Sequence, residues 1–451
     1  MQDDGRSAAA LPGAETGRWN NRVWALAGPI IVSNLSTPLL GAVDTAVVGH
    51  LPDPAYIGAV AIGAVIFNFL FWGFGFLRMG TTGFTAQAYG AGNPAEVRAT
   101  LARPLLLAVA LGTLVLLLQM PIGQLAFALL EASNEVEGFA QSYYEIRIWS
   151  APAALLNYAM LGWLLGIQRA RAVLLLQVAL NATNIVLDLV FVIGLGWNIE
   201  GVAYASVIAE YSAALLGLAI IGQHLRGLGG AWDRARILSK DRLAALFKVN
   251  ADILVRTLCL IAAFAYLTAR GAEMGDLILA GNAILMQLQG FMAYGLDGFA
   301  HAAEILAGNA LGARSRPAFR AAVKTSTAWA FGLAALFTMT YGLLGPAIVA
   351  LFTNIAEVRE TASAYLPWMA ISPLISIWGF QLDGIFIGAT RTADMRNAML
   401  VSLAVLLIAC WLLIPPLGNH GLWLAFTLFT VARAITLGLY YPRLERSVEE
   451  T

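Results

Sequence analysis

Charged residues are scarce in this chain, and neither sign is in excess. Asp, Glu, Lys and Arg make up 12% of the 451 residues, with 27 basic and 27 acidic side chains. Soluble domains carry about 25% charged residues, so half of the usual solubilising charge is missing. Balanced charge also gives no sign of the basic surface that a nucleic-acid partner requires. We therefore expect neither an ordinary soluble domain nor a nucleic-acid-binding protein.

Cysteine is nearly absent, and the common catalytic motifs are missing. Cys259 and Cys410 both stand inside apolar runs, where they are expected to pack as small core residues rather than form a disulfide. Two cysteines without clustered histidines cannot build a zinc site, so no metal is expected. There is no GxxxxGK[ST] phosphate loop, GxSxG, HExxH or paired aspartate motif of membrane prenyltransferases. We expect a protein that is not an enzyme and needs no cofactor.

Apolar sequence is what the chain has in abundance. Hydrophobic residues make up 59% of it, and the mean hydropathy is +0.73. A spanning helix needs about 20 apolar residues. Twelve segments meet that length: 24–48, 57–78, 101–121, 145–167, 172–195, 200–222, 246–269, 278–299, 321–345, 362–388, 395–416 and 420–440.

The second half of the chain repeats the first at a constant shift of 222 positions. The shift places Gly162 on Gly384, and other matches follow it over roughly 120 residues without a gap: Gly49 on Gly271, Phe69 on Phe291, Gly73 on Gly295, Gly166 on Gly388 and Arg169 on Arg391. Each repeat holds six helices, an even number, so the repeats run parallel. The predicted fold is an all-α polytopic membrane protein whose two six-helix repeats are related by a pseudo-two-fold along the membrane normal.

Basic residues gather in alternate loops and so predict the orientation. Segments 122–142 and 196–200 contain none, whereas 223–245 contains five. Basic loops stay in the cytoplasm. We therefore expect a cytoplasmic tail at 1–22, an N-lobe at 23–222, a cytoplasmic linker at 223–245, a C-lobe at 246–440 and a cytoplasmic tail at 441–451.

Two acidic residues lie at similar depth in the outer half of the first repeat. An ionisable group in the hydrocarbon region is costly, so it is a functional candidate. Asp44 lies on helix 1, after Pro38, a residue expected to loosen that helix. Asp188 ends a polar stripe with Asn181 and Asn184 on helix 5. The structural alternatives are a snorkelling carboxylate at Asp44 and a hydrogen-bonding stripe between helices at Asp188.

The second half offers weaker candidates. Arg256 lies near mid-membrane and needs a partner, for which Asp252, one turn earlier, is nearest in sequence. Asp383 lies about five residues from the cytoplasmic end of helix 10, where it is either functional or interfacial. His301 and Glu304 fall where helix 8 is expected to leave the membrane, which favours a solvated extension of that helix.

Several longer strings give the chain a family likeness. They are PLLGAVDTAVVGHL at 38–51, GFLRMGTTGFTAQAYGAGNP at 75–94, GWLLGIQRAR at 162–171, AYGLDGFAHAAE at 293–304 and FQLDGIFIGATRTADMRN at 380–397. With the six-plus-six duplication and the lone acid in helix 1, they resemble the multidrug and toxic compound extrusion (MATE) family, and within it the DinF-like branch. The likeness runs from about residue 22 to 440.

The resemblance implies antiport of drugs against a cation by alternating access. In the DinF-like branch the coupling ion is generally a proton, although sodium stays open. The family's N-lobe site would consist here of Asp44, Asp188, Asn184, a tyrosine matched to Tyr143 (Tyr144 is its neighbour) and Ser206, which replaces the usual threonine. A related branch couples to sodium through C-lobe acids, and Asp383 would be what remains of that pattern.

We therefore expect an ion-gradient-driven antiporter that exports small amphipathic organic compounds. It would work as a monomer among the lipids of the bacterial inner membrane, with both termini in the cytoplasm. The alternatives are sodium-coupled efflux and a flippase for lipid-linked saccharides from the same superfamily. A flippase would line its cavity with several basic residues for pyrophosphate, whereas this chain offers mainly Arg256. The substrate itself is not predictable from the sequence.

Overall fold

The computed structural model describes residues 16–49, 55–130 and 133–450, and these residues are helical over most of their length. The first fifteen residues of the predicted N-terminal tail and the last residue of the C-terminal tail lie outside the described residues. The helices of the first half are α1 (Thr16–Val48), α2 (Ala55–Gly73), α3 (Phe76–Gly90), α4 (Pro94–Leu117), α5 (Gln119–Leu129), α6 (Asn134–Arg147), α7 (Ala151–Gly166), α8 (Ala170–Asp188) and α9 (Asn198–Leu228).

A short helix, α10 (Arg234–Ile237), connects the two halves of the chain. The helices after it are longer and less interrupted: α11 (Lys240–Glu273), α12 (Asp276–Gly312), α13 (Arg316–Phe352), α14 (Ala356–Gly388), α15 (Thr392–Leu417) and α16 (Asn419–Glu450). Two other helical forms interrupt the first half: a 3₁₀ turn at Ile148–Ser150 between α6 and α7, and a π-helical segment at Leu189–Gly194 after α8.

Eleven helical spans within the described residues are long and apolar enough to cross a membrane. The 33-residue α1 is a further helix that covers the first predicted span. The all-α, twelve-helix, two-repeat membrane fold is therefore confirmed, and the part of the chain that the structure describes contains no β-strand.

Two sequence-based boundaries were wrong. The fourth span begins at Asn134, where Ser133 caps α6, and not at 145. The predicted outer loop at 122–142 is therefore largely helical. The extension of α12 beyond residue 299 is buried and not solvated. Glu304 is 0% exposed, and its Oε2 lies 3.4 Å from Nδ1 of His301. Charge alone suggested solvent at both places, but the first segment is helical and the second is buried.

The described residues divide into two compact units. The N unit comprises 32–88 and 93–246, and the C unit comprises 16–31, 89–92 and 247–450. The helix α1 thus contributes its first half to the C unit and its second half, with Asp44, to the N unit. The lobe and tail boundaries predicted from the sequence stay predictions.

Each unit contains the same close crossing of two helices. A Cβ atom on Gly162 of α7 would collide with the carbonyl oxygen of Arg78 on α3. A Cβ atom on Gly384 of α14 would collide with the carbonyl oxygen of Ala300 on α12. These positions are related by the shift of 222 on both sides of the contact, because 78 + 222 = 300. The glycine one turn further along makes a second close approach in each unit, as small residues do where membrane helices pack backbone to backbone.

Candidate functional site

The five principal residues predicted from the sequence lie on four helices of the N unit. Their positions are Asp44 on α1, Tyr143 on α6, Asn184 and Asp188 on α8, and Ser206 on α9. The stripe on α8 points inwards: Asn184 is 2% exposed and Asp188 is 0% exposed. Asp188 is the last residue of α8 before the π-helical segment, a local widening that often occurs at functional sites.

A carboxylate pair forms the centre of this cluster. The side chains of Asp44 and Asp188 are in hydrogen-bond contact. The Asn184 amide bridges them when its nitrogen faces the acids, with that nitrogen 3.1 Å from Oδ2 of Asp188 and 3.3 Å from Oδ1 of Asp44. Its oxygen then accepts hydrogen bonds from the backbone nitrogen and Oγ of Ser206, at 3.2 and 3.3 Å. These neighbours fix the orientation of the amide, because the reverse orientation would face oxygen with oxygen.

The pair is suited to holding a proton. Two carboxylates in hydrogen-bond contact require one of the oxygens to donate, so the contact is made when a proton is shared. Asn184 and Ser206 add hydrogen bonds around the pair. Among residues 16–49, 55–130 and 133–450, no three His, Cys, Asp or Glu side chains are grouped closely enough to hold a metal ion.

Tyr143 has a different immediate partner. Its ring is fully buried and occupies space left by Gly63 on α2, where a Cβ atom would collide with the ring. Its hydroxyl accepts a hydrogen bond from Nη1 of Arg147, one turn later on the same helix. The guanidinium of Arg147 also lies 4.9 Å from the ring centre of Phe67 and 5.4 Å from that of Tyr143. Tyr143 therefore joins the site together with a cation.

The two secondary candidates of the first half lie beside this cluster. Asn181 donates a hydrogen bond of 2.9 Å to Oγ of Ser36, so it ties α8 to α1 two turns before Asp188. Pro38 is half-buried within α1, which is helical on both sides of it.

The charged residues of the C unit form a separate cluster, and the predicted partner of Arg256 was wrong. Arg256 forms a buried ion pair with Asp383, and Arg433 on α16 binds the same carboxylate. Asp252 instead accepts hydrogen bonds from Nη1 of Arg396 at 2.7 Å and from Oγ1 of Thr392 at 3.1 Å. One helical turn favoured Asp252 in the sequence, but the packing of α11 against other helices brings a different acid to Arg256.

Sequence reasoning missed Arg147 and Arg433. A cation inside an apolar run is a usable signal, and Arg433 stands in the middle of the predicted span 420–440. Arg147 was overlooked because the span was expected to begin at 145, which would put this residue at the membrane surface. Glu210 on α9 is another acid within a span, and it accepts a hydrogen bond of 2.7 Å from Nδ2 of Asn157.

A cavity of about 260 Å³ lies within the C unit, between α11, α12 and α16. Its walls are mostly apolar, with Asn282 and Gln287 as amide side chains: Leu267, Thr268, Gly271, Leu279, Asn282, Ala283, Met286, Gln287, Leu422, Trp423 and Phe426. None of these lining residues is ionisable. The carboxylate chemistry of the first repeat therefore has no counterpart here.

The fold and the site together define a class of protein. Two repeats of membrane-spanning helices, with a carboxylate pair inside one of them, are the arrangement of an ion-coupled secondary transporter. The family model described as MatE matches residues 29–190 and 253–412, which is more than half of the chain. The protein belongs to the MatE family, the multidrug and toxic compound extrusion transporters.

Several known proteins are similar along most of the chain. The chain is 45% identical over 425 residues to DNA damage-inducible protein F of Escherichia coli strain K12. The aligned region covers 93% of this chain and 92% of that protein. It is 21% identical over 383 residues to the multidrug export protein MepA of Staphylococcus aureus, covering 83% and 84%. A solved outward-facing multidrug resistance MATE transporter of the MOP superfamily has the same fold, with a TM-score of 0.87, 19% identity and full coverage of both chains.

Proposed function

We propose that the protein exports amphipathic organic compounds across the bacterial inner membrane in exchange for protons. The observation that supports this most directly is the Asp44–Asp188 pair, in contact and bridged by Asn184 inside an apolar helical unit. The protein works by alternating access, as a monomer with both termini in the cytoplasm. Asp44 and Asp188 carry the proton, and Asn184, Tyr143 and Ser206 complete the binding site.

Exchange follows from the charge of the pair. When the carboxylates are ionised, they attract a cationic or strongly polarised compound. When protons enter from outside, that attraction is lost and the substrate leaves outwards. Since protonation also restores the hydrogen bond between Asp44 and Asp188, the protonated and ionised forms favour different packings of α1 against α8.

The surroundings of the pair favour a proton over sodium. A hard metal cation is held by several oxygen ligands. Here the Asn184 nitrogen faces both carboxylates, and Arg147 interacts electrostatically with each of them. A hydrogen-bond donor and a cation thus face the pair, whereas a sodium ion would need further oxygens there. Asp383 does not offer a sodium site either, because Arg256 and Arg433 both bind its carboxylate.

The flippase alternative is also less well supported. Binding a pyrophosphate requires several arginines or lysines that can turn towards it. Of the buried arginines, Arg256 and Arg433 share Asp383, while Arg103 bonds to Glu96 at 2.8 Å. No arrangement of these residues favours a lipid-linked saccharide as substrate.

The test is substrate efflux by the purified protein in liposomes, driven either by a pH gradient without sodium or by a sodium gradient without a pH difference. We expect the pH gradient alone to drive efflux. The Asp188→Asn variant should fall to the leak of empty liposomes, because it cannot release a proton. The matched control is Glu135→Gln, which neutralises an exposed acid at the outer end of α6.

Efflux driven only by the sodium gradient would contradict proton coupling. Full activity of Asp188→Asn would show that the carboxylate pair does not couple transport.

A further inference from the structure

Arg147 lies deep in a membrane span. The span runs from Asn134 to Gly166, so Arg147 is thirteen residues from its outer end and nineteen from its inner end. At 1.5 Å per residue, Arg147 lies about 20 Å along the helix from its outer end. Placing arginine at such a depth costs at least about 2.5–3.5 kcal/mol unless the protein compensates its charge. The surroundings of Arg147 must therefore supply the compensation.

Four other helices of the N unit and the residue's own helix provide it. Arg147 donates to the hydroxyl of Tyr143 and lies over the Phe67 ring on α2. It interacts electrostatically with Asp44 on α1, Asp188 on α8 and Glu210 on α9.

We infer that Arg147, held in place by Tyr143, is the resident counter-ion of the Asp44–Asp188 pair and selects substrates by their charge. This inference rests on the proposed function. Tyr143 is then a positioning residue that acts through Arg147, rather than a direct substrate contact.

The charge of the three groups explains how the selection works. The pair and Arg147 together carry one negative charge when both acids are ionised, none after one proton binds and one positive charge after two. A monovalent cation is therefore held weakly enough to be released by one proton, and the second proton repels it. Glu210 is held separately, by a hydrogen bond of 2.7 Å from Nδ2 of Asn157, and is not counted with this pair.

The experiment measures binding rather than transport, so its outcome is separate from that of the proposed function. Ethidium and propidium share one aromatic scaffold and differ by one permanent positive charge, and Nile red is uncharged. Their dissociation constants are measured by fluorescence at one pH with wild type, Arg147→Gln, Arg147→Lys, Tyr143→Phe and the double variant Tyr143→Phe/Arg147→Gln.

Arg147→Gln should lower the dissociation constant of ethidium roughly tenfold, because it removes a positive charge from a partly desolvated site. The dissociation constant of propidium, which carries two charges, should fall by about the square of that factor. Nile red should not change. Arg147→Lys should retain the discrimination because it keeps the charge. Tyr143→Phe should shift the two cationic dyes in the same direction as Arg147→Gln, and the double variant should match Arg147→Gln alone.

Equal changes for all three dyes would overturn the inference, since they would indicate a purely structural arginine. Additive effects of the two substitutions would overturn the positioning role of Tyr143. If Arg147→Gln does not fold, the test rests on Tyr143→Phe, which keeps the size and burial of the ring. A ratio of ethidium to propidium dissociation constants equal to that of wild type would then contradict the inference. Failure of proton-driven efflux in wild type, with the dye pattern intact, would refute the proposed function and not the role of Arg147.

Discussion

Asn184 links residues that come from three different helices. Its amide reaches Asp44 on α1, Asp188 on its own helix and Ser206 on α9. An amide is the one side chain of this size that donates to a carboxylate on one edge and accepts from a hydroxyl on the other. The carboxylate pair therefore depends on Asn184 for its geometry as well as for its hydrogen bonding.

Replacing Asn184 by Leu should uncouple transport. The change keeps the branched shape of the side chain but leaves buried oxygens without a donor, at about 1–3 kcal/mol. We expect proton-driven efflux to fall towards the liposome leak, with a modest decrease in the unfolding midpoint. The measurement combines efflux in liposomes with thermal unfolding in detergent.

The matched control is Asn181→Leu, one turn earlier on the same stripe. It removes the hydrogen bond to Ser36 and leaves the carboxylates untouched, so it should lower stability and retain coupling. Loss of coupling in both variants to the same extent would contradict a specific role of Asn184.

At the scale of the helices, each unit is organised by one backbone-to-backbone crossing. The α7–α3 contact at Gly162 and the α14–α12 contact at Gly384 both place a glycine against a carbonyl oxygen. Membrane helices gain little from burying apolar side chains against each other, so close packing supplies much of their attraction. The crossing at Gly162 fixes the position of α7 relative to α3. The same α7 continues the span that carries Tyr143 and Arg147.

Gly384→Ala should destabilise the protein. The added methyl group meets the carbonyl oxygen of Ala300, which cannot move without the helix, and such overpacking costs about 1–3 kcal/mol. The decrease is read as a lower unfolding midpoint in a single detergent.

Gly342→Ala on α13 is the control, because no atom lies within 4 Å of its added methyl group. It should be neutral or stabilising by up to about 1 kcal/mol, as for any glycine in a helix interior. A Gly384→Ala protein as stable as the control would show that this crossing is loose.

For the whole molecule, the orientation in the membrane is predicted from loop charge and is open to a direct test. Glu135 and Ala231 are exposed positions at the two predicted sides. After Cys259 and Cys410 are replaced by Ala, single cysteines are introduced by Glu135→Cys and Ala231→Cys. A membrane-impermeant maleimide applied from the periplasmic side should label the first and not the second.

Permeabilised cells provide the control, since both cysteines should then react. The opposite labelling pattern would show that the predicted orientation is reversed. The Asp44–Asp188 pair would then lie in the inner half of the membrane.

The sequence by itself determined the features that depend on composition and periodicity. Long apolar runs fix membrane helices because the backbone must satisfy its own hydrogen bonds in lipid. The shift of 222 revealed the repeat, and the polar stripe of α8 placed Asn184 and Asp188 on one face. Ser206 and Tyr143 came from the family resemblance, not from any local pattern.

Tertiary structure alone decided which charges meet. Asp252 is one turn from Arg256, yet Asp383, 127 positions away in the chain, binds it. Arg147 lies inside the span, and not at its end, because α6 begins at Asn134. Helix packing brings together residues that are distant in the chain, and a buried charge takes the partner that this packing supplies, so local spacing could not identify either pairing.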